Sequence, residues 1–217
     1  MHCIVTAGPT YEPLDAVRRL TNFSTGRLGT ELANFLVAKG HRVTLLIGQM
    51  ATWPSEVRAQ TAEAFSTGAD LAERLQRLAG QPVDAVFHAA AVSDFAFGRV
   101  WRRLPGGELM ELRAGKLPSA ELLAELTPAP KILRQLRGWF PAAFLAGWKY
   151  EVEGDRAAVL AKAEAQMREN QTDACVANGP AYGAGFGLLR RNGQCTHFEE
   201  RENLFAALEM AAGSARS

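Results

Sequence analysis

The chain has 217 residues, of which 47% are apolar and 22% charged, too hydrophobic for a disordered segment and long enough to bury one α/β-sized core. Its 24 Lys and Arg against 23 Asp and Glu leave a formal charge of +1, which excludes the basic field that holds a nucleic acid. No window reaches the roughly 18 uninterrupted apolar residues of a membrane helix, and Cys3, Cys175 and Cys195 contain no CxxC pair for zinc or redox work. The expectation is a single domain over residues 1–217, soluble and cytoplasmic, with neither nucleic acid nor membrane as partner.

The start, Met1-His2-Cys3-Ile4-Val5, has no charged leader and runs straight into an apolar strand over 3–7, which the turn-prone Gly8-Pro9-Thr10 breaks. A long irregular stretch follows. Leu28, Leu32 and Leu36 recur every four residues, so a helix begins near Thr25 and stops at Gly40. Residues 42–47 read as a second buried strand and 56–59 as a short third. Ser66 and Thr67 then cap a helix with Leu71, Leu75 and Leu78 on one face, and 83–87 is the next strand. Across 100–126 the helical period lapses. Pro105-Gly106-Gly107 reads as a turn between short strands, and Ala114-Gly115-Lys116 as a mobile loop within an insertion. The alternation resumes with a helix from Lys131, a strand over 144–148, a helix over 156–169 and a strand over 174–177. Arg191-Asn192-Gly193-Gln194 carries a type I′ hairpin signal, and a helix from Glu202 closes the chain. Alternation of this kind predicts an α/β fold: a doubly wound, mostly parallel, Rossmann-like sheet with a mobile insertion and a C-terminal β-hairpin.

Ligands of such sheets bind at the carboxyl ends of the strands. Gly8 there, with Asn22-Phe23-Ser24-Thr25-Gly26-Arg27 entering a helix, offers close backbone approach, free N–H groups and a helix N-terminus for an anion. Ser24 and Thr25 as plain helix caps are the alternative. The second segment is His88-Ala89-Ala90-Ala91-Val92-Ser93-Asp94, whose alanines leave space for a flat ligand and whose Asp94 can accept from a sugar or base. Close helix packing with Asp94 as a cap is the competing account, and His88 reads as a satisfied buried histidine. Cys3 and Cys175 read as small core residues. Lys116, taken alone, is a solvated surface lysine.

Together these segments resemble the phosphopantothenoylcysteine synthetase family, the ligase half of the bacterial bifunctional coenzyme A biosynthesis flavoprotein. The resemblance runs through Thr6-Ala7-Gly8-Pro9-Thr10, Glu12-Pro13, Asp15, Val17-Arg18 and Asn22 to Gly29. It continues in Ala90 to Phe95, Gly115-Lys116-Leu117, Pro130-Lys131-Ile132-Leu133, Gly147-Trp148-Lys149 and Asp173 to Asn178. It implies a homodimer that joins 4′-phosphopantothenate to cysteine through an acyl-nucleotidylate, with CTP or ATP as substrate, Mg²⁺ across the phosphates and no flavin. By the same resemblance Asn22 holds the activated acyl group and Lys116 closes over the triphosphate. Gly8, Ser24, Thr25, Gly26, Ala90, Ala91, Asp94, Pro130, Lys131, Ile132, Leu133, Trp148 and Lys149 border the nucleotide, and Arg27 and Asn178 join Asn22 at the acid substrate. The metal ligands stay unassigned.

The chain departs from the family pattern at Gln166 and Asn170, where lysines four apart are usual, and at Asn178-Gly179 followed by Gly183-Ala184-Gly185-Phe186-Gly187. Lys149 and Lys131 are then expected to supply the missing charge, Arg168 lying on another helix face, and Gln166→Lys is expected to tighten nucleotide binding. The β-hairpin, carrying Phe186, Leu188 and Leu189, is the expected dimer edge. Two other functions remain open: a nicotinamide-dependent short-chain reductase, weakened because no Tyr-x-x-x-Lys pair falls on a predicted helix, and a nucleotide-binding module without catalysis.

Overall fold

The computed structural model describes residues 1–215. In chain order they form β1 (His2–Ala7), a small hairpin of β2 (Tyr11–Pro13) and β3 (Arg19–Thr21), α1 (Arg27–Ala38), β4 (Arg42–Gly48), β5 (Thr61–Phe65), α2 (Gly68–Leu78) and β6 (Ala85–His88). An antiparallel insertion follows, made of β7 (Phe95–Arg103), β8 (Leu109–Leu112) and β9 (Leu122–Pro128). Then come α3 (Ile132–Trp139), β10 (Phe144–Tyr150), α4 (Arg156–Asn170), β11 (Ala174–Asn178), β12 (Phe186–Arg190), β13 (Cys195–Phe198) and α5 (Arg201–Ser214).

The main sheet has the order β13-β12-β11-β10-β6-β1-β4-β5, parallel from β5 to β11 and antiparallel at β12 and β13. The chain winds outward from β1 through β4 to β5, then returns to lay β6 against the other side of β1. That reversal leaves a crevice between β1 and β6 at their carboxyl ends, where ligands of open α/β sheets bind. β1, β6 and β11 bury nearly every residue because helices cover both sheet faces.

One face packs under α1 and α5, through Leu32, Leu36, Leu204, Phe205 and Leu208 against Val5, Phe87 and Val176. The other packs under α2 and α3, through Leu71, Leu75, Ile132 and Leu136, and under α4, through Val159, Ala163 and Met167. Each fully buried Leu or Phe contributes about 1.5–3 kcal/mol. Cys3 and Cys175 are core residues, and burial pushes both thiols up to about 12.

Three local readings need correction. The third strand is β5, Thr61–Phe65, not 56–59; the earlier segment is held as a loop by Asn34, which donates to Glu56 O (2.8 Å) and accepts Arg58 N–H (2.9 Å). The stretch after β1 contains the β2–β3 hairpin. The β12–β13 connection is not a type I′ turn. Of its residues only Gly193 has positive φ (77°), and Arg190 N–H closes on Gln194 O (3.0 Å), giving a three-residue loop with glycine in the left-handed place. By contrast Thr67 caps α2 as expected, its side chain accepting Asp70 N–H.

Candidate active site

The loops after β1 and β6 are stitched together across the crevice. Ala91 N–H donates to Gly8 O (3.0 Å), Thr10 N–H to Ala91 O (3.1 Å) and Ser93 N–H to Thr10 Oγ1 (2.9 Å). The Asn22 amide joins the same seam, its Nδ2 donating to Ala91 O (3.2 Å). Deeper in, Thr6 Oγ1 accepts Ala90 N–H (3.1 Å) and meets Nδ1 of His88 (3.0 Å). Burial pushes the His88 pKa down to about 4, so its ring is neutral and structural. Thr6 and Thr10 bound the glycine loop that the sequence marks as a candidate, but their hydrogen-bonding roles are visible only in the structure.

Candidate residues flank the seam on both faces of the sheet. On the α1 side, Gly26 opens the helix with φ 81° and has no side chain to cap it, so of the first-turn N–H groups only that of Arg27 meets a side-chain acceptor. Ser24 and Thr25 therefore do not cap the helix beyond a 3.3 Å contact from Arg27 N–H to Thr25 Oγ1. Gly29 lets α1 approach β1 closely; a Cβ there would sit 2.6 Å from that of Ala7. Arg27 reaches Glu31 (2.8 Å) and lies 4.2 Å over the Trp53 ring. Trp148 packs on this same face, and strand alternation puts Asn178 with it, two residues beyond Val176. Trp53 Nε1, Trp148 Nε1 and Asn178 Oδ1 are all buried and unpartnered. Trp53 gave no signal in the sequence.

On the opposite face Ala90, Val92 and Leu133 pack against the α2–α3 cluster. Asp94 pairs with Lys131, at the entrance to α3, instead of capping a helix. Pro130 and Ile132 flank that lysine; Ile132 is buried. Lys149 ion-pairs with Glu151 (2.9 Å), which also takes Lys162 from α4 (2.5 Å), and these two ammonium groups hold the Glu151 carboxyl below the usual range. The sequence-selected residues thus divide: Gly8, Ser24, Thr25, Gly26, Arg27, Trp148 and Asn178 toward α1; Ala90, Asp94, Pro130 to Leu133 and Lys149 toward α3 and α4; Asn22 and Ala91 at the seam.

Lys116 sits in the loop between β8 and β9, and that loop is tied to the β2–β3 turn. Leu117 N–H donates to Asp15 (3.0 Å), Ala16 N–H to Gly115 O (2.8 Å) and the Arg18 guanidinium to Leu117 O (3.2 Å).

Expectations about the replaced lysines change. Gln166 turns inward, donating to Trp148 O (3.1 Å) and lying 3.6 Å from Cys175 Sγ, while Asn170 donates to Gln166 O (2.6 Å). A lysine at 166 would displace a bonded amide in a half-buried place, and Lys131 and Lys149 already neutralise carboxylates. Arg168 faces a separate cleft of about 450 Å³ beside Arg190 and Arg191. Leu188 and Leu189 are buried in the chain's own core, so they cannot face a partner. The exposed apolar side chains Leu20, Phe23, Phe95, Leu109, Met110 and Leu126 lie on or beside the β2–β3 hairpin and the insertion. Tyr11, Tyr150 and Tyr182 all lie outside helices, which leaves the reductase without its acid–base pair.

Residues 1–210 match the family model described as DNA/pantothenate metabolism flavoprotein C-terminal domain. The coenzyme A biosynthesis bifunctional protein CoaBC of Thermococcus kodakarensis is 32% identical over 176 residues, covering 81% of this chain and 40% of that protein. The chain thus spans about two fifths of that relative's length. The DNA/pantothenate metabolism flavoprotein of Streptococcus pneumoniae superposes with a TM-score of 0.83 at 23% identity over 99% of both chains. A Cab2 mutant in complex with phosphopantothenate-cysteine superposes with a TM-score of 0.76 at 18% identity, over 99% of this chain and 87% of that one. At such identities the superpositions speak for the fold, the doubly wound α/β sheet with its C-terminal hairpin; the match over residues 1–210 carries the family, and the chain belongs to the DNA/pantothenate metabolism flavoprotein C-terminal domain family.

Proposed function

We propose that the chain is a phosphopantothenate–cysteine ligase, and the observation that carries this is the two-sided crevice closed by one seam. An acid and a nucleotide can enter from opposite faces of the sheet and meet at Asn22 and Ala91. A relative of the same fold bound to phosphopantothenate-cysteine supports the choice of substrates.

In the first step a carboxylate oxygen of 4′-phosphopantothenate attacks the α-phosphorus of CTP or ATP, and the bond to pyrophosphate breaks. In the second the cysteine amine attacks the acyl carbon, the bond to the nucleotide oxygen breaks, the monophosphate leaves and the amine loses a proton to solvent. The N-terminus of α1, with Arg27 beside it, suits the anionic acid, which reassigns Gly8, Ser24, Thr25, Gly26 and Trp148, expected at the nucleotide, to the acid side. The unpartnered Trp148 and Trp53 indole N–H groups are donors for its carbonyls, and Asn178 Oδ1 is an acceptor for an amide or hydroxyl. A flat base would lie along the small side chains of Ala90 and Ala91 beside Leu133, with Asp94 and Lys131 at its edge. Asn22 Nδ2 is placed to leave Ala91 O for the acyl oxygen. Lys116 supplies charge to the phosphates, worth about 2.7–4 kcal/mol by analogy with an oxyanion donor.

Among the described residues no three His, Cys, Asp or Glu side chains converge, so Mg²⁺ fits here as an ion carried by the nucleotide's own phosphates. It supplies charge neutralisation when bound. The reading calls for no flavin. A homodimer formed through the exposed apolar residues of the β2–β3 hairpin and insertion, in the cytoplasm, completes it.

Incubating the chain with phosphopantothenate, cysteine, Mg²⁺ and CTP or ATP, and following pyrophosphate and product mass, tests the proposal. Product formed only when all components are present supports it. The pairing of Lys131 and Lys149 with carboxylates favours a second reading, a nucleotide-binding module without catalysis. It would be recognised by nucleotide binding without pyrophosphate release.

A further inference from the structure

We infer that Asp15 is a positioning residue that latches the Lys116 loop onto the β2–β3 turn, so that the lysine is presented before the nucleotide arrives. This rests on the role given to Lys116 above.

The two carboxylate oxygens of Asp15 have separate tasks. Oδ1 accepts the N–H groups of Val17 (2.8 Å) and Arg18 (2.7 Å), which folds the turn. Oδ2 accepts Leu117 N–H (3.0 Å) from the distant loop and meets the Arg18 guanidinium at 3.3 Å. The Asp15 side chain is 0% exposed and its bond to Leu117 N–H is partly buried, so that bond meets less competition from water than the two turn bonds do. Leu117 is buried too, at 4% exposure. Gly115 and Leu117 are therefore both tied down, and Lys116 between them is exposed and makes no ion pair among the described residues.

The same hairpin that carries Asp15 delivers Asn22 just after β3. One short segment thus carries both the amide at the seam and the anchor of the Lys116 loop, so a loop ordered in advance lowers the cost of nucleotide capture. The Leu117 N–H is the largest influence holding the Asp15 carboxyl below the usual carboxylate range, consistent with an ionised latch.

Asp15→Asn separates the two tasks. Its remaining oxygen can keep the turn, since Asn suits such turns, while the amide NH₂ replaces Oδ2 and faces two donors, Leu117 N–H and the Arg18 guanidinium. Amide hydrogen exchange at Leu117 should then rise on the order of tenfold or more, the loss of one charge-assisted hydrogen bond. The nucleotide KM should rise by a similar factor while kcat at saturation changes little, because bound nucleotide closes the loop itself. The double variant with Lys116→Ala should be no slower than Lys116→Ala alone. Arg18→Ala, which removes the bond to Leu117 O, should move exchange and KM in the same direction without touching the Asp15 turn bonds.

Unchanged Leu117 exchange in Asp15→Asn would overturn the latch, as would a fall in kcat at constant KM or effects additive with Lys116→Ala. Faster exchange in a protein whose turnover ignores Lys116→Ala would support the latch and overturn instead the role of the lysine.

Discussion

Lowering the pH should weaken this protein through His88 in particular. The ring is buried at the end of β6, and burial takes its pKa from 6.5 to about 4. Between those values the unfolded chain binds a proton that the folded chain refuses, so stability is whole above about pH 6.5 and is lost as the pH falls toward 4. At about 1.36 kcal/mol per pH unit the loss is about 3 kcal/mol, a large share of the 5–15 kcal/mol typical of a folded domain. The consequence reaches the crevice. Thr6 Oγ1 accepts Ala90 N–H and is free to donate its own proton to the neutral Nδ1, so a charged ring disturbs the loop that carries Ala90 and Ala91. Urea unfolding of the native protein and of His88→Gln, from about pH 7 down to about pH 4.5, separates this residue from the other titrating groups. A glutamine can accept from Thr6 without titrating. The native protein should lose roughly 2 kcal/mol more than the variant over that range, most of the full effect; parallel losses would refute the reasoning.

Lys116→Ala should lower turnover by 10²–10³-fold, about 2.7–4 kcal/mol, with the thermal midpoint unchanged because the side chain is exposed; near-normal turnover at saturating nucleotide would remove it from the site. Asn22→Asp places a carboxylate against Ala91 O, so the first step should still release pyrophosphate while acyl-nucleotidylate accumulates, visible by mass spectrometry of quenched reactions. Equal loss of both half-reactions would make Asn22 a structural tie. Gln166→Lys should not tighten nucleotide binding but should lower the melting temperature, since it removes the bond to Trp148 O and puts a cation beside Cys175. Calorimetry and thermal melts of the same preparation check both halves of that statement.

The parallel core could be read from the chain because β1, β4, β6 and β11 are continuous apolar runs, and because Leu28, Leu32 and Leu36 mark a helix face. The β2–β3 hairpin could not: each strand has three residues, and Arg19, Leu20 and Pro13 are exposed, so no buried face writes a period into it. β5 was displaced for a related reason. Thr61-Ala62-Glu63-Ala64-Phe65 is an edge strand with little buried but Phe65, and its alanines and glutamate favour helix as readily as strand. At the site, the glycine and alanine loops announced themselves by composition, whereas the split between sheet faces depends on strand alternation that only paired registers reveal. Gln166 and Asn170 stand where the family pattern has lysines. The inward bond of Gln166 depends on the gap beside Gly147, where a Cβ would meet its amide at 3.2 Å, whereas Asn170 turns back onto the Gln166 carbonyl of its own helix.

The acyl-nucleotidylate is the centre of this account, and the fate of one oxygen tests it most directly. Phosphopantothenate bearing heavy oxygen in its carboxylate, reacted with cysteine, Mg²⁺ and CTP or ATP, should yield a nucleoside monophosphate carrying one heavy oxygen and unlabelled pyrophosphate. The bridging oxygen leaves with the nucleotide when the amine attacks. Heavy oxygen in inorganic phosphate with release of the diphosphate, or label retained wholly in the acid with no amide product, would contradict it.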